Sequence, residues 1–200
     1  MSDVNDKPDI SGARQFLRDY VETNQDLIES WLSGASRENF GSELVLLSLE
    51  ARKIGDAYDL TGIALGSAMS LFEKIDGGYL AAQKVVGYNI ALGEAIPTEL
   101  LHFLENPPKS KKQIGPSAQY ARRDLLVLIL LKHLTVVFGL PKYSAVKKPK
   151  KSESPNELQQ STAIGLIQAA LAPFSEIVSG ADLASLERAT REFEAKRPWF

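Results

Sequence analysis

Residues 120–140 read YARRDLLVLILLKHLTVVFGL, and the fold turns on how this stretch is understood. After Arg122, Arg123 and Asp124 come seven apolar residues without a break, Leu125 to Leu131. Lys132 and His133 interrupt, and Leu134, Val136, Val137 and Phe138 resume before Gly139 and Pro141 end it. A membrane span needs about 18–20 predominantly apolar residues, and here a lysine and a histidine would sit near mid-bilayer, which is costly. A buried strand accounts for the run of seven, since periodicity alone does not separate it from a buried helix. Leucine nevertheless outnumbers the β-branched residues, and the apolar character continues for a helical length. A helix apolar on nearly every side must be wrapped by others. The expectation is therefore an all-α protein: an irregular bundle of about seven or eight helices around a central apolar helix spanning about 118–138.

Working outward, residues 1–10 are acidic with little to bury, and predict a flexible tail. The N-terminal helical part covers 11–106. Ser11 is a candidate cap for a helix carrying Phe16, Leu17, Tyr20, Val21, Leu27, Ile28, Trp31 and Leu32, stopped by Gly34. A helix from about Ser42 buries Leu44 to Leu49, with Arg52 and Lys53 in its last turn complementing the dipole and Gly55 beyond. Asp59 to Phe72 reads as a small-residue helix whose Gly62 and Gly66 suit close packing against a neighbour. Asp76-Gly77-Gly78 breaks the chain, and Tyr79 to Leu92 follows with Leu80, Val85, Val86, Tyr88 and Ile90 assigned to burial. Gly93 closes that helix, and Pro97 opens Thr98–Glu105.

A basic linker (107–117) separates this part from a C-terminal helical part (118–200), which contains a basic loop at 142–155 expected to be mobile. Leu158 to Leu171 and Ala181 to Lys196 complete the helices, with Ser179 and Asp182 as a capping signal for the second. One compact unit is expected, with no convincing strand or hairpin.

Charge is distributed unevenly. From Glu105 to Lys151 there are eleven lysines or arginines against two acids, a surplus of +9 in a chain whose net charge is −2. That asymmetry speaks to partners rather than fold. If the two basic segments meet at one end of the bundle, Lys109, Lys111, Lys112, Arg122, Arg123, Lys147, Lys148, Lys150 and Lys151 form a phosphate-contacting patch. Lysine without aromatic interleaving implies backbone contact and no base reading. The bland alternative is that lysines keep a loop soluble.

Catalytic chemistry finds little support. No cysteine exists to serve as nucleophile or metal ligand. Neither a G-x-S-x-G elbow nor a phosphate-binding glycine loop is present. Glu99 and His102 have the Glu-x-x-His spacing of di-iron bundles, but His133 has Leu130 where its own glutamate belongs. His133 reads as a hydrogen-bonded histidine at the core's edge. No catalytic residue, metal ligand or cofactor is assigned. The N-terminus lacks the order of a secretory signal, so a cytoplasmic protein without membrane association is expected.

The succession GGYLAAQKVVGYNIALGEAIPTELLHFL, a lysine-rich gap, and then YARRDLLVLILLKHLTVVFGLP resembles helical proteins of unknown function from proteobacterial genomes and prophages. The likeness rests on Gly93, Glu94, Ile96 and Pro97, on Arg123 and Asp124, and on Gly139, Leu140 and Pro141. It covers about a third of the chain, implies a bacterial or phage accessory protein, and carries no activity with it. The first functional reading is a non-enzymatic, self-associating interaction protein. A nucleic-acid-associated factor using the lysine-rich loops and a small-molecule-binding regulator with a cavity between helices are the alternatives.

Overall fold

The structure is a computed structural model that describes residues 7–35, 38–50, 52–62, 65–107, 116–143, 161–177 and 183–196. It is an all-α bundle. In chain order the helices are α1 (Ile10–Thr23), α2 (Gln25–Ser33), α3 (Glu38–Glu50), α4 (Leu65–Lys74), α5 (Gly78–Leu92), α6 (Thr98–Glu105), α7 (Pro116–Val137), α8 (Ala163–Leu171) and α9 (Leu183–Lys196). A 3-10 turn, Ala172–Phe174, follows α8.

The leucine-rich helix α7 lies where its composition demands. Leu126 to Leu131 are all buried, as is Leu134, and α3, α8, α9 and α2 pack around them. Burying one such side chain stabilises the fold by about 1.5–3 kcal/mol, so no other surface would hold this helix as well. The indole N–H of Trp31 donates to the Arg122 carbonyl at 3.3 Å, and its ring meets Phe40 at 5.9 Å, tying α2 to both α7 and α3. Helix α3 is a second hub, packed on α5, α7, α2 and α4.

Several local expectations are corrected. Asp9, not Ser11, caps α1: its carboxylate accepts from the Gly12 N–H at 2.8 Å, and its own N–H donates to the Phe138 carbonyl at 2.9 Å. Asp9 and Ile10 are thus bound to the body rather than to a tail, while residues 1–6 lie outside the described region. The predicted single helix up to Gly34 is divided at Asn24, whose side-chain amide donates to the Tyr20 carbonyl. Helix α3 ends at Glu50, so Arg52 and Lys53 lie beyond it rather than in its last turn. A small antiparallel hairpin follows instead, β1 (Lys53–Ile54) paired with β2 (Ala57–Tyr58). Its two-residue loop places Gly55 first at φ 53°, the pattern of a type II′ turn. Asp59 does not start a helix. Its carboxylate accepts from the Thr61 N–H and hydroxyl and from the Gly62 N–H, which lowers its pKa, the Thr61 hydroxyl first.

The close-packing glycines also differ from those expected. Gly62 sits in the Asp59 turn, and Gly66 faces open space. The intimate contact belongs to Gly41 of α3, where a Cβ would collide with the Asp76 carbonyl at the α4–α5 turn. Only so small a residue lets that turn lie on α3. Of the loop expected at 142–155, only Lys142 and Tyr143 are described, and Tyr143 is anchored: its hydroxyl donates to Thr190 Oγ1 at 2.9 Å, and the Arg191 guanidinium covers its ring at 4.0 Å. Helix α8 starts at Ala163 with Thr162 as its cap and ends at Leu171, with Pro173 in the 3-10 turn that follows. Leu158 and the Ser179–Asp182 capping signal fall outside the described residues.

Candidate interaction face

Helix α5 carries apolar residues on both its inner and its outer side, and only the inner side is covered. Its inner side buries Ala81, Ala82, Val85, Val86 and Asn89 against α3 and α4. The outer side is a different matter. Tyr88 is 41% exposed and Ile90 64%, although the sequence assigns both to burial, and Gln83 and Lys84 lie exposed on the same side. Periodicity orients this helix poorly, because apolar residues occur on both sides and the polar Asn89 is buried.

At 100° per residue, Gly87 and Ala91 share the centre of the exposed side, with Tyr88 on one flank and Ile90 on the other. The centre is therefore a shallow trough between two apolar ridges, and nothing lies within 4 Å of where a Gly87 Cβ would stand. Gly93, at φ 73°, ends α5, and the Glu94 N–H closes the turn on the Asn89 carbonyl at 2.9 Å. Lys84 and Glu94 thus bracket the trough, with Lys84 held by Glu43 of α3 at 2.6 Å.

One residue positions the rim. The Asn89 side chain, 2% exposed, meets the backbone of Tyr58 as a neighbouring strand would. Its Oδ1 accepts from the Tyr58 N–H at 3.1 Å, and its Nδ2 donates to the Tyr58 carbonyl at 3.1 Å. This double bond pins the hairpin to α5 and brings the Tyr58 and Tyr88 rings to 5.7 Å, with the Lys53 ammonium 5.9 Å and 5.6 Å from their centroids. Burial, and then Glu50, Tyr88 and Glu43, raise the Tyr58 pKa, so the phenol stays neutral. Ile54 at the hairpin tip, 64% exposed, and Leu101 of α6, 41% exposed, extend the apolar surface. On the far side the Tyr79 hydroxyl donates to the Leu104 carbonyl at 3.1 Å, fixing α6 beside α5.

The residues assigned to phosphate contact fare differently. Lys109, Lys111, Lys112, Lys147, Lys148, Lys150 and Lys151 lie outside the described residues. Arg122 is half-buried beside Gly34, and Arg123 is 7% exposed, so neither stands out as a free cation. The Arg123 Nε and Nη2 donate to its own neighbour Asp124 at 2.8 and 2.6 Å, and Tyr120 flanks it. Helix α7 begins at Pro116, so Asp124 lies beyond the first turn, where the dipole favours an acid.

Glu99 and His102 are both exposed on α6, and among the described residues no group of three or more histidines and acids converges. His133 is deeper than a core-edge residue: it is 4% exposed, stacked on Phe16 at 4.5 Å, with Nδ1 lacking a partner among the described residues. Desolvation lowers its pKa, against weaker upward pushes from Glu50 and a hydrogen bond to the Leu47 backbone. No helix among the described residues is long and apolar enough to cross a membrane.

Compared with known proteins, the chain matches no family, no curated protein and no solved structure.

Proposed function

We propose that this chain is an interaction protein that pairs with a second copy of itself through the outer face of α5. The observation that carries the reading is the outer side of that helix, where Tyr88 and Ile90 stand exposed on either flank of an open trough at Gly87. Clustered apolar exposure of this kind marks contact surfaces, whereas scattered single residues do not. A two-fold arrangement suits it. Two antiparallel copies of α5 crossing at the level of residue 89 set Gly87 against the partner's Ala91, and the two-fold axis then brings Tyr88 beside the partner's Tyr88 and Ile90 beside the partner's Ile90.

The chain has no cysteine, which offers a clean test. Gly87→Cys and Ala91→Cys are made singly, mixed and oxidised; a disulfide forms only when Cα atoms come within about 7 Å. The expected product is the mixed Gly87→Cys/Ala91→Cys dimer, in excess over either homodimer. A monomer at every concentration in sedimentation, or no preference for the mixed product, removes the proposal.

A further inference from the structure

Between α1 and α8 lies a half-open groove of about 440 Å³. Its floor is apolar, formed by Leu17 and Val21 of α1, Leu166 of α8 and Phe174 of the 3-10 turn. Leu17, Leu166 and Phe174 are buried members of the core, so the floor is rigid rather than a gap between loose side chains. The volume falls within the ~300–1,000 Å³ of ordinary ligand sites, which combine an apolar lining with a few polar groups.

Those polar groups have a definite sign. Arg14 and Arg18 lie one helical turn apart on α1 and line the same edge of the groove. Glu22 and Gln25 line it further along. Arg18 makes no ion pair with Glu22 or any other acid among the described residues. Two guanidinium groups against one carboxylate, set beside an apolar floor, favour an elongated molecule with an anionic head, and guanidinium matches carboxylate and phosphate oxygens in pairs.

We propose that the α1–α8 groove binds an amphiphilic anion, its alkyl chain on Leu17, Val21, Leu166 and Phe174 and its carboxylate or phosphate head at Arg14 and Arg18. The head sits toward the start of α1, away from Glu22, and the chain runs toward Phe174. This site shares no residue with the α5 face, so the two proposals stand or fall separately.

The test titrates the ¹⁵N-labelled protein with decanoate, decyl phosphate, decanol and decyltrimethylammonium, each below its micelle concentration. Expected are saturable shifts at Leu17, Val21, Ala169 and Ala170 with both anions, and affinity at least tenfold weaker for decanol and for the cation. Arg18→Ala is expected to weaken decanoate at least tenfold. Ala169→Trp, at an exposed position that tolerates size, should fill the groove and abolish binding while the spectrum stays folded. A lipid surface is separated from a free amphiphile by co-sedimentation with phosphatidylglycerol vesicles. Vesicle binding without decanoate binding overturns the proposal. So do equal affinities for anion and cation, indifference to both substitutions, or shifts confined to α5.

Discussion

Replacing Ile90 by alanine separates an interaction face from incidental exposure, because the two cases differ in sign as well as size. Ile90 is 64% exposed, so the core of the free chain gains little from it. Truncation removes three carbon atoms; at ~0.8 kcal/mol per buried carbon, covering the exposed fraction is worth about 1.5 kcal/mol per copy. In a two-fold interface the residue appears twice, so dimerisation should lose about 3 kcal/mol, roughly a 100-fold rise in Kd. Within the monomer, alanine is the better helix former by a few tenths of a kcal/mol, so stability should hold or rise slightly. Sedimentation equilibrium from micromolar to millimolar concentration measures the first quantity, and urea unfolding at the lowest concentration the second. An unchanged Kd would refute the reasoning, as would a loss of monomer stability large enough to explain weaker pairing.

Four further outcomes follow from particular residues. Asn89→Leu leaves the Tyr58 N–H and carbonyl without their side-chain partner; because Tyr58 is only half-buried, the cost should be about 1–3 kcal/mol in urea unfolding, with faster hydrogen exchange at the Tyr58 amide. Gly66→Ala should stabilise the chain by about 1 kcal/mol, since nothing opposes a Cβ there, raising Tm by ~2–4 °C. Gly41→Ala should instead destabilise strongly, because the Asp76 carbonyl occupies the space; a similar Tm for the two variants contradicts the packing described. His133, whose pKa is held below the ordinary 6.5 by burial, takes up its proton more readily in the unfolded chain. Its contribution is fully present above the unfolded value and is lost as pH falls through the folded one, so stability should decline below pH 6.5, and His133→Gln should flatten that decline in urea midpoints measured from pH 7.5 to 5.5.

Much of the architecture is legible along the chain. The Leu125–Leu131 run can be satisfied only by enclosure, and Gly34, Gly77, Gly93 and Gly139 mark the ends or junctions of helices as read. The errors cluster where the deciding partner is remote in sequence. Lys53 to Tyr58 looks like a helix end and a loop because two-residue strands have no periodicity; they persist because Asn89, 31 positions on from Tyr58, supplies what another strand would. Tyr143 reads as loop until Thr190 and Arg191 are known to meet it.

The composition of the chain by itself decides that it is helical, that it is held by one leucine-rich helix, and that thiol chemistry is excluded. Whether α5 turns Val85 or Ile90 inward is decided only in three dimensions. A helix with apolar residues on both sides is weakly oriented until α3 takes one, and the side left over is the face assigned to a second copy. The groove beside Arg14 and Arg18 has the same origin. Each lining residue has an ordinary place in its own element, and only the packing of α1 beside α8 sets charge next to an apolar floor.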